Sequence, residues 1–318
     1  MKAMHLANAA PATALVPDEV PQPGPGRGEL LIRVCAAGII PTELTWYPTT
    51  HTQAGEARKG AIPAHEFSGV VAALGEEVGS LEEGQEVFGM NDWFADGALA
   101  EYCCAPFFAV APKPRSLTHA EAASVPISGL TAWQGLFDHA RLQAGERVLI
   151  HGGAGGVGSF AIQLARIHGA HVLTTAAERN RSFVWDLGAE QVIDYREQRF
   201  EDYAKEVDVV FDTVGGETLE RSWSVLKPGG RLVTVVSSAE NPADPRVKEA
   251  FFIVEPNQKQ LVELAALLDA GRLRTVVDTV VRWPQAAEVY SGRLERQGRG
   301  KVVVAVAEEG QTTTARGD

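Results

Sequence analysis

The residues His151-Gly152-Gly153-Ala154-Gly155-Gly156-Val157-Gly158 hold Gly153, Gly155 and Gly158 in the spacing G-x-G-x-x-G. The chain carries 32 glycines, so the spacing alone says little. Its context says more. An apolar run, 148–151, precedes it, and a helical pattern, 156–168, follows with Val157, Phe160, Ala161, Leu164 and Ala165 on one face. A second apolar run, 171–175, comes next. A strand, a glycine turn and a helix N-terminus in that order form a phosphate cradle. Glycine allows the tight turn and the close backbone approach, and the helix start presents free N–H groups and partial positive charge to a pyrophosphate.

Outward from that loop, strand and helix signals alternate. Further strands are expected at 191–194, 207–212, 232–236 and 251–254, which means crossover units and a parallel sheet. The apolar, non-alternating runs fit a sheet covered on both faces. Toward the N-terminus the character changes. Thr118-His119-Ala120-Glu121 reads as a capping box opening a helix. Before it lie short strand-like runs at 30–35, 67–73, 85–88, 98–103 and 108–111, punctuated by Gly and Pro, as in a small barrel. The segment 17–28 is rich in Pro and Gly and reads as an extended surface crossing. Beyond residue 256 a helix at 258–270, a strand, a second helix and a strand at 301–306 are expected to return to the barrel. Residues 308–318 read as a disordered tail. The fold class is therefore α/β, a barrel-like unit plus a doubly wound parallel sheet, with domains at 1–123, 124–256 and 257–318.

The chain has 318 residues, 45% hydrophobic and 22% charged, with a formal net charge of −12. Its Lys and Arg are scattered, which argues against a nucleic-acid partner or an anionic membrane surface. No apolar run approaches the roughly 18 residues of a membrane span. Three cysteines, Cys35, Cys103 and Cys104, two of them adjacent, are not a disulfide framework, so a reducing cytoplasmic setting is expected.

The choice of dinucleotide turns on the end of the second strand, where an acid binds the ribose 2′-hydroxyl of NAD. Here that strand ends Thr174-Thr175-Ala176-Ala177, without an acid. Arg179 follows and suits a 2′-phosphate. The expected cofactor is NADPH rather than NADH. Glu178 keeps two readings open, a 2′-hydroxyl ligand or an exposed acid in a first helical turn.

Several ordered motifs resemble the medium-chain dehydrogenase/reductases, in the quinone oxidoreductase branch. They include Ala64-His65-Glu66-Phe67-Ser68-Gly69, Gly129-Leu130-Thr131-Ala132-Trp133, the glycine loop, Leu187-Gly188-Ala189, Asp212-Thr213-Val214-Gly215-Gly216, Leu226-Lys227-Pro228-Gly229-Gly230 and Gly300-Lys301. The resemblance spans residues 1–306. It implies a GroES-like β-barrel catalytic domain with a Rossmann domain inserted, and a cleft between them. It implies cofactor contacts from Thr131, Gly153, Gly155, Gly156, Val157, Gly158, Arg179, Asn180, Tyr195, Val214, Val236, Phe252, Val254 and Lys301.

In zinc-containing members the metal sits on a Cys, a His and a second Cys. The matching positions here resemble Ile40, His65 and Ser124, so no zinc is expected. The implied chemistry is direct hydride transfer from the cofactor to a quinone or α,β-unsaturated carbonyl, with a donor for the developing oxyanion. Candidate donors are Thr42, Tyr47 and His65. Thr42 otherwise caps a turn, and Tyr47 is otherwise a surface or core aromatic. Trp93 and Phe94 are candidate walls of the substrate pocket. Many relatives have Asn at the Ile40 position and Asp at the Glu43 position, so this pocket is less polar than theirs. Two other readings stand beside this one: an alcohol dehydrogenase with residual metal at His65, and a nucleotide-binding regulatory protein without turnover. A homodimer is expected through the apolar segment 251–254 as an edge strand that follows the loop 237–249.

Overall fold

The computed structural model describes residues 1–7, 15–236 and 244–307. The tail expected at 308–318 and the first part of the loop expected at 237–249 lie outside the described residues. In chain order the strands are β1 (Lys2–Leu6), β2 (Leu15–Glu19), β3 (Glu29–Ile39), β4 (Glu66–Leu74), β5 (Glu86–Met90), β6 (Tyr102–Pro106) and β7 (Val110–Pro112). There follow β8 (Arg147–Ile150), β9 (His171–Ala176), β10 (Gln191–Asp194), β11 (Val207–Asp212), β12 (Leu226–Thr234), β13 (Val277–Arg282) and β14 (Lys301–Ala305).

β1 and β2 pair with each other in a small antiparallel sheet, and the other strands form two large sheets, as the fold class requires. The seven-stranded barrel sheet runs β13-β14-β3-β4-β5-β7, with β6 also paired to β3. Its pairings are antiparallel except β13 with β14. The five-stranded sheet runs β10-β9-β8-β11-β12, all parallel, the order of a doubly wound Rossmann unit. Burial follows the period each sheet imposes. Every residue of β11 is buried, because helices cover both faces, whereas β6 alternates. One apolar core lies within the barrel around Phe67 and Leu30; another, around Phe160, Leu130 and Phe211, runs from the parallel sheet onto β5 and β7 through Phe88, Met90 and Ala111.

The capping box at Thr118 forms as expected: its hydroxyl accepts from the Glu121 amide, and the Glu121 carboxylate accepts from the Thr118 amide. Four local expectations need correction. The run 98–103 is strand only from Tyr102; Leu99 instead bonds outward, donating to Pro63 and accepting from Met4. In 108–111 the chain first turns through Phe107–Ala109 before pairing in β7. The strand expected at 232–236 starts six residues earlier and ends at Thr234. A register shift between Val207 and Val209 accommodates the Lys227-Pro228-Gly229-Gly230 turn. The end of the loop expected at 237–249 instead enters a helix, Pro245–Ala250, capped by Asp244.

The segment 251–254 meets the sheet edge through a single parallel bridge between Thr234 and Phe251, and extends no strand. It is anchored by side chains instead. Phe252 stacks on His139 at 4.2 Å between ring centres, and Gln134 bonds both the amide and the carbonyl of Glu255. Gln134 opens a π-helical turn, Gln134–His139, which widens the helix enough to aim that amide sideways.

Candidate functional site

The carboxyl ends of β8, β9, β11 and β12 converge where the glycine loop crosses them, the place where open parallel sheets take ligands. Gly152 has φ +76°, a conformation that favours glycine. A Cβ on Gly153 would lie 2.0 Å from Thr174 Oγ1, and one on Gly158 would lie 2.2 Å from the Gly152 carbonyl. Gly155 meets only that same carbonyl, at 3.3 Å, and is exposed. Two of the three motif glycines are thus demanded by protein packing, and the third keeps the loop's outer face bare. The helix Gly156–Ile167 starts there with no side-chain cap. Thr213 ties the next strand end to the loop, its hydroxyl donating to the His151 carbonyl at 2.7 Å.

The cofactor contacts implied by the resemblance fall into two groups. Around the loop lie Val157, Val214 and Val236; Val214 is exposed, and Val236 packs so closely on Gly215 that a Cβ there would sit 2.6 Å away. Lys301 and Thr131 are buried and already bonded, Lys301 to Glu66 and the Thr131 hydroxyl to the Ile127 carbonyl. Phe252 and Val254 are buried with the 251–255 segment. The second group, at the ends of the neighbouring strands β9 and β10, is Arg179 and Asn180 after β9 and Tyr195 after β10. Arg179 and Tyr195 are exposed, and Asn180 is buried with its Oδ1 accepting from Arg299 Nε at 2.8 Å.

Arg299 was missed in the sequence. Its guanidinium lies 5.1 Å above the Phe183 ring and also donates to the Arg179 carbonyl, so two arginines flank the end of β9. The cue was adjacent, since Arg299 is the residue before Gly300-Lys301. Glu178, by contrast, is held by Arg181, whose Nε donates to both carboxylate oxygens at 2.8 Å; that bond keeps the carboxyl below its ordinary range.

Across from the loop the barrel presents a buried polar cluster. Glu43 is fully buried. Its carboxylate accepts from the Ile40 amide (3.2 Å), the Ala64 amide (3.1 Å), Tyr290 Oη (2.5 Å) and His65 Nδ1 (3.3 Å). Ala64 holds φ +69°, strained for a residue with a Cβ, and so turns His65 inward. His65 Nε2 is buried and has no partner. Its ring lies 5.5 Å from Trp93, and Trp93 packs edge-on against Trp46. The next residue, Glu66, accepts from the Ile127 amide and pairs with Lys301, joining the barrel to the cofactor side. Burial pushes the Glu66 carboxyl up, and the Lys301 charge opposes that. Ser128 follows Ile127, also with a buried, unpartnered hydroxyl, 3.0 Å from where a Gly156 Cβ would stand. Two orphaned polar groups therefore face the glycine loop, His65 Nε2 from the barrel and Ser128 Oγ from the helix beside Gly156. These residues fit a dinucleotide.

Of the other expected donors, Thr42 caps the turn Glu43–Thr45 from an exposed position through its backbone alone. Tyr47 is 54% exposed and stacks on His51 at 4.5 Å. Its neighbour Trp46, which sequence reasoning passed over, is the aromatic that reaches Trp93. The residues do not fit a zinc. Ile40 offers no ligand atom, and the Ser124 hydroxyl is committed to the Glu121 carbonyl at 2.7 Å. Burial pushes Cys103 up to about 12 and Cys104 up to about 11, far from thiolates. No group of three His, Cys, Asp or Glu suited to a metal occurs among the described residues.

Comparisons with known proteins agree with this architecture. Residues 26–115 match the family model of the alcohol dehydrogenase GroES-like domain, and residues 187–304 match that of zinc-binding dehydrogenase. The chain is 33% identical over 317 residues to a probable zinc-binding mitochondrial oxidoreductase of Arthroderma benhamiae, covering 93% of this chain and 94% of that protein. It is 32% identical over 286 residues to the chloroplastic NADPH-dependent alkenal/one oxidoreductase of Arabidopsis thaliana, covering 87% and 72%. The solved quinone oxidoreductase of Coxiella burnetii superposes with a TM-score of 0.86 at 32% identity, over 96% of this chain and 99% of that one. The chain belongs to the medium-chain dehydrogenase/reductase superfamily, in its quinone oxidoreductase branch, and is an oxidoreductase.

Proposed function

We propose that this protein is an NADPH-dependent, zinc-independent reductase of quinones or α,β-unsaturated carbonyls. The observation that carries the reading is His65: a buried imidazole with Nδ1 held by Glu43 and Nε2 unpartnered, beside two tryptophans and without the co-ligands a metal needs. When bound, the reduced nicotinamide supplies a hydride. Gly153 to Gly158, Ser128 and the start of the helix Gly156–Ile167 hold the dinucleotide. Trp46 and Trp93 wall a flat, apolar substrate and exclude water. The negative charge that develops on the substrate oxygen meets His65 Nε2, which carries a proton to give when the ring is in its imidazolium form with Nδ1–H on Glu43.

Arg179 and Arg299 support NADPH, because both stand at the end of β9 while Glu178 is occupied by Arg181. The proposal takes the protein to act as a cytoplasmic homodimer on a small molecule, with no nucleic acid or membrane as partner. The chelator-resistant activity of a zinc-free enzyme belongs to the same reading.

The test is steady-state kinetics on a quinone and enone panel with NADPH and NADH side by side. Arg179→Ala should raise KM for NADPH about ten- to a hundredfold more than KM for NADH, the cost of a charged hydrogen bond at 1.5–3 kcal/mol. Equal effects on both cofactors would remove the NADPH assignment. Absence of turnover across the panel would remove the reductase.

A further inference from the structure

Tyr290 lies 247 residues from Glu43 in sequence, on the helix Ala286–Tyr290 of the C-terminal return, yet its hydroxyl donates to Glu43 Oε1 at 2.5 Å. Burial and the Glu43 charge push that phenol well above its ordinary range, so it remains a donor. With Oε1 taken by Tyr290 and the Ile40 amide, the carboxylate cannot rotate. Oε2 is left to the Ala64 amide and to His65 Nδ1. The same carboxylate therefore fixes the strained Ala64 backbone and the imidazole that follows it. All of this converges on Nε2, a buried nitrogen aimed at no protein atom.

We propose that Tyr290 is a positioning residue of the active site, which acts through Glu43 to present the His65 Nε2–H to the substrate oxygen. The inference rests on the function proposed above, in which His65 supplies the proton. As hydride reaches the substrate carbon, the Nε2–H bond of the imidazolium breaks and an O–H bond forms. The ring keeps its Nδ1–H on Glu43 and is left neutral, and once the product has left, solvent entering the emptied site returns the missing proton before the next cycle. One hydride and one proton thus account for the reduced product. Besides Glu43 and Tyr290, the charged neighbours of this cluster are Glu66, whose charge also pushes the Tyr290 phenol up, and its partner Lys301.

Tyr290→Phe keeps the ring and removes one hydroxyl. It should lower kcat about tenfold, a part of the 10²- to 10⁴-fold that a positioned proton donor contributes. KM for NADPH should stay within about twofold, because no atom of Tyr290 lies at the glycine loop. A merely structural role would change the melting temperature and leave kcat per folded molecule intact, and that result would overturn the proposal. His65→Gln separates the two levels. If it is as active as wild type, the role of His65 fails; if it is impaired while Tyr290→Phe is not, only the positioning role fails. Proton NMR of the wild-type protein gives a readout independent of turnover. A far-downfield Nδ1–H resonance, absent in His65→Gln and displaced in Tyr290→Phe, is expected. Its absence from the wild type, or its indifference to Tyr290→Phe, refutes the arrangement even if the variant folds poorly.

Discussion

His151 opens the glycine loop and is fully buried, its ring bonded to Thr175 Oγ1 at 3.2 Å and to Ser222 Oγ at 3.0 Å. Burial pulls its pKa down to about 3, so the folded protein keeps this imidazole neutral well into acid. The unfolded chain takes up a proton near the ordinary value of about 6.5. Above that pH both states are neutral and His151 contributes no slope. Below it only the unfolded state gains a proton, so stability falls as the pH drops, by up to about 1.4 kcal/mol per unit until the folded pKa is reached. Between pH 7 and 5, urea midpoints of the wild type should therefore decline more steeply than those of His151→Asn. Parallel declines would show that the loop's histidine is not the acid-sensitive group. This residue was read only as part of a motif; nothing in its neighbours' identities reveals that two hydroxyls from other elements close over it.

At the scale of elements, the glycine loop divides into positions that serve the protein and one that serves its ligand. Gly158→Ala would drive a Cβ into the Gly152–Gly153 backbone, with no soft side chain to yield. Gly155→Ala faces solvent and meets only the Gly152 carbonyl, at 3.3 Å, a contact that a few tenths of an ångström of movement in an exposed loop relieves. The first should lower the melting temperature sharply. The second should leave it nearly unchanged while weakening NADPH binding at least tenfold, as read by nucleotide fluorescence. If Gly155→Ala binds NADPH normally, the loop's outer face is not the phosphate seat. The loop was legible in the sequence because its requirements are local: a turn, a close approach and a helix start, all within eight residues. The Rossmann strands were legible because burial on both faces writes them as apolar runs. The barrel's short strands were less so, since 98–103 mixes bridge-forming residues with strand residues and only pairing to β3 fixes where β6 begins. The Glu43–Tyr290 contact and the place of Arg299 were illegible for a further reason. They join segments far apart in sequence, and no local pattern marks a partner on another element.

For the whole molecule, the segment 251–254 sets the association state we propose. It lies against the edge of β12 through one bridge without extending the sheet, and Ile253 is 56% exposed between the buried Phe252 and Val254. An apolar residue on an unpaired edge is a hazard unless another chain covers it. A two-fold axis at this edge would bring two copies of Ile253 together and double the effect of any change there. Ile253→Lys should convert a dimer to a monomer in light scattering, with the melting temperature little altered. A dimer that survives this substitution uses another face, and a monomeric wild type removes the proposal.

The barrel sheet closes only when β14 slides in between β3 and β13, so its first long strand and its last are neighbours. A ribosome makes them in the opposite circumstance, with 261 residues between Ile39 and Lys301. At roughly 5–20 residues per second, β3 waits on the order of 15–50 s for its partner. The parallel sheet, built from one contiguous stretch, is complete well before then. During synthesis the nucleotide-binding half can therefore fold as a finished body carrying an open barrel behind it. What stays open meanwhile is the Ala36–Ile39 edge of β3, already paired on its other side, and slower translation between β12 and β14 would lengthen that exposure rather than relieve it.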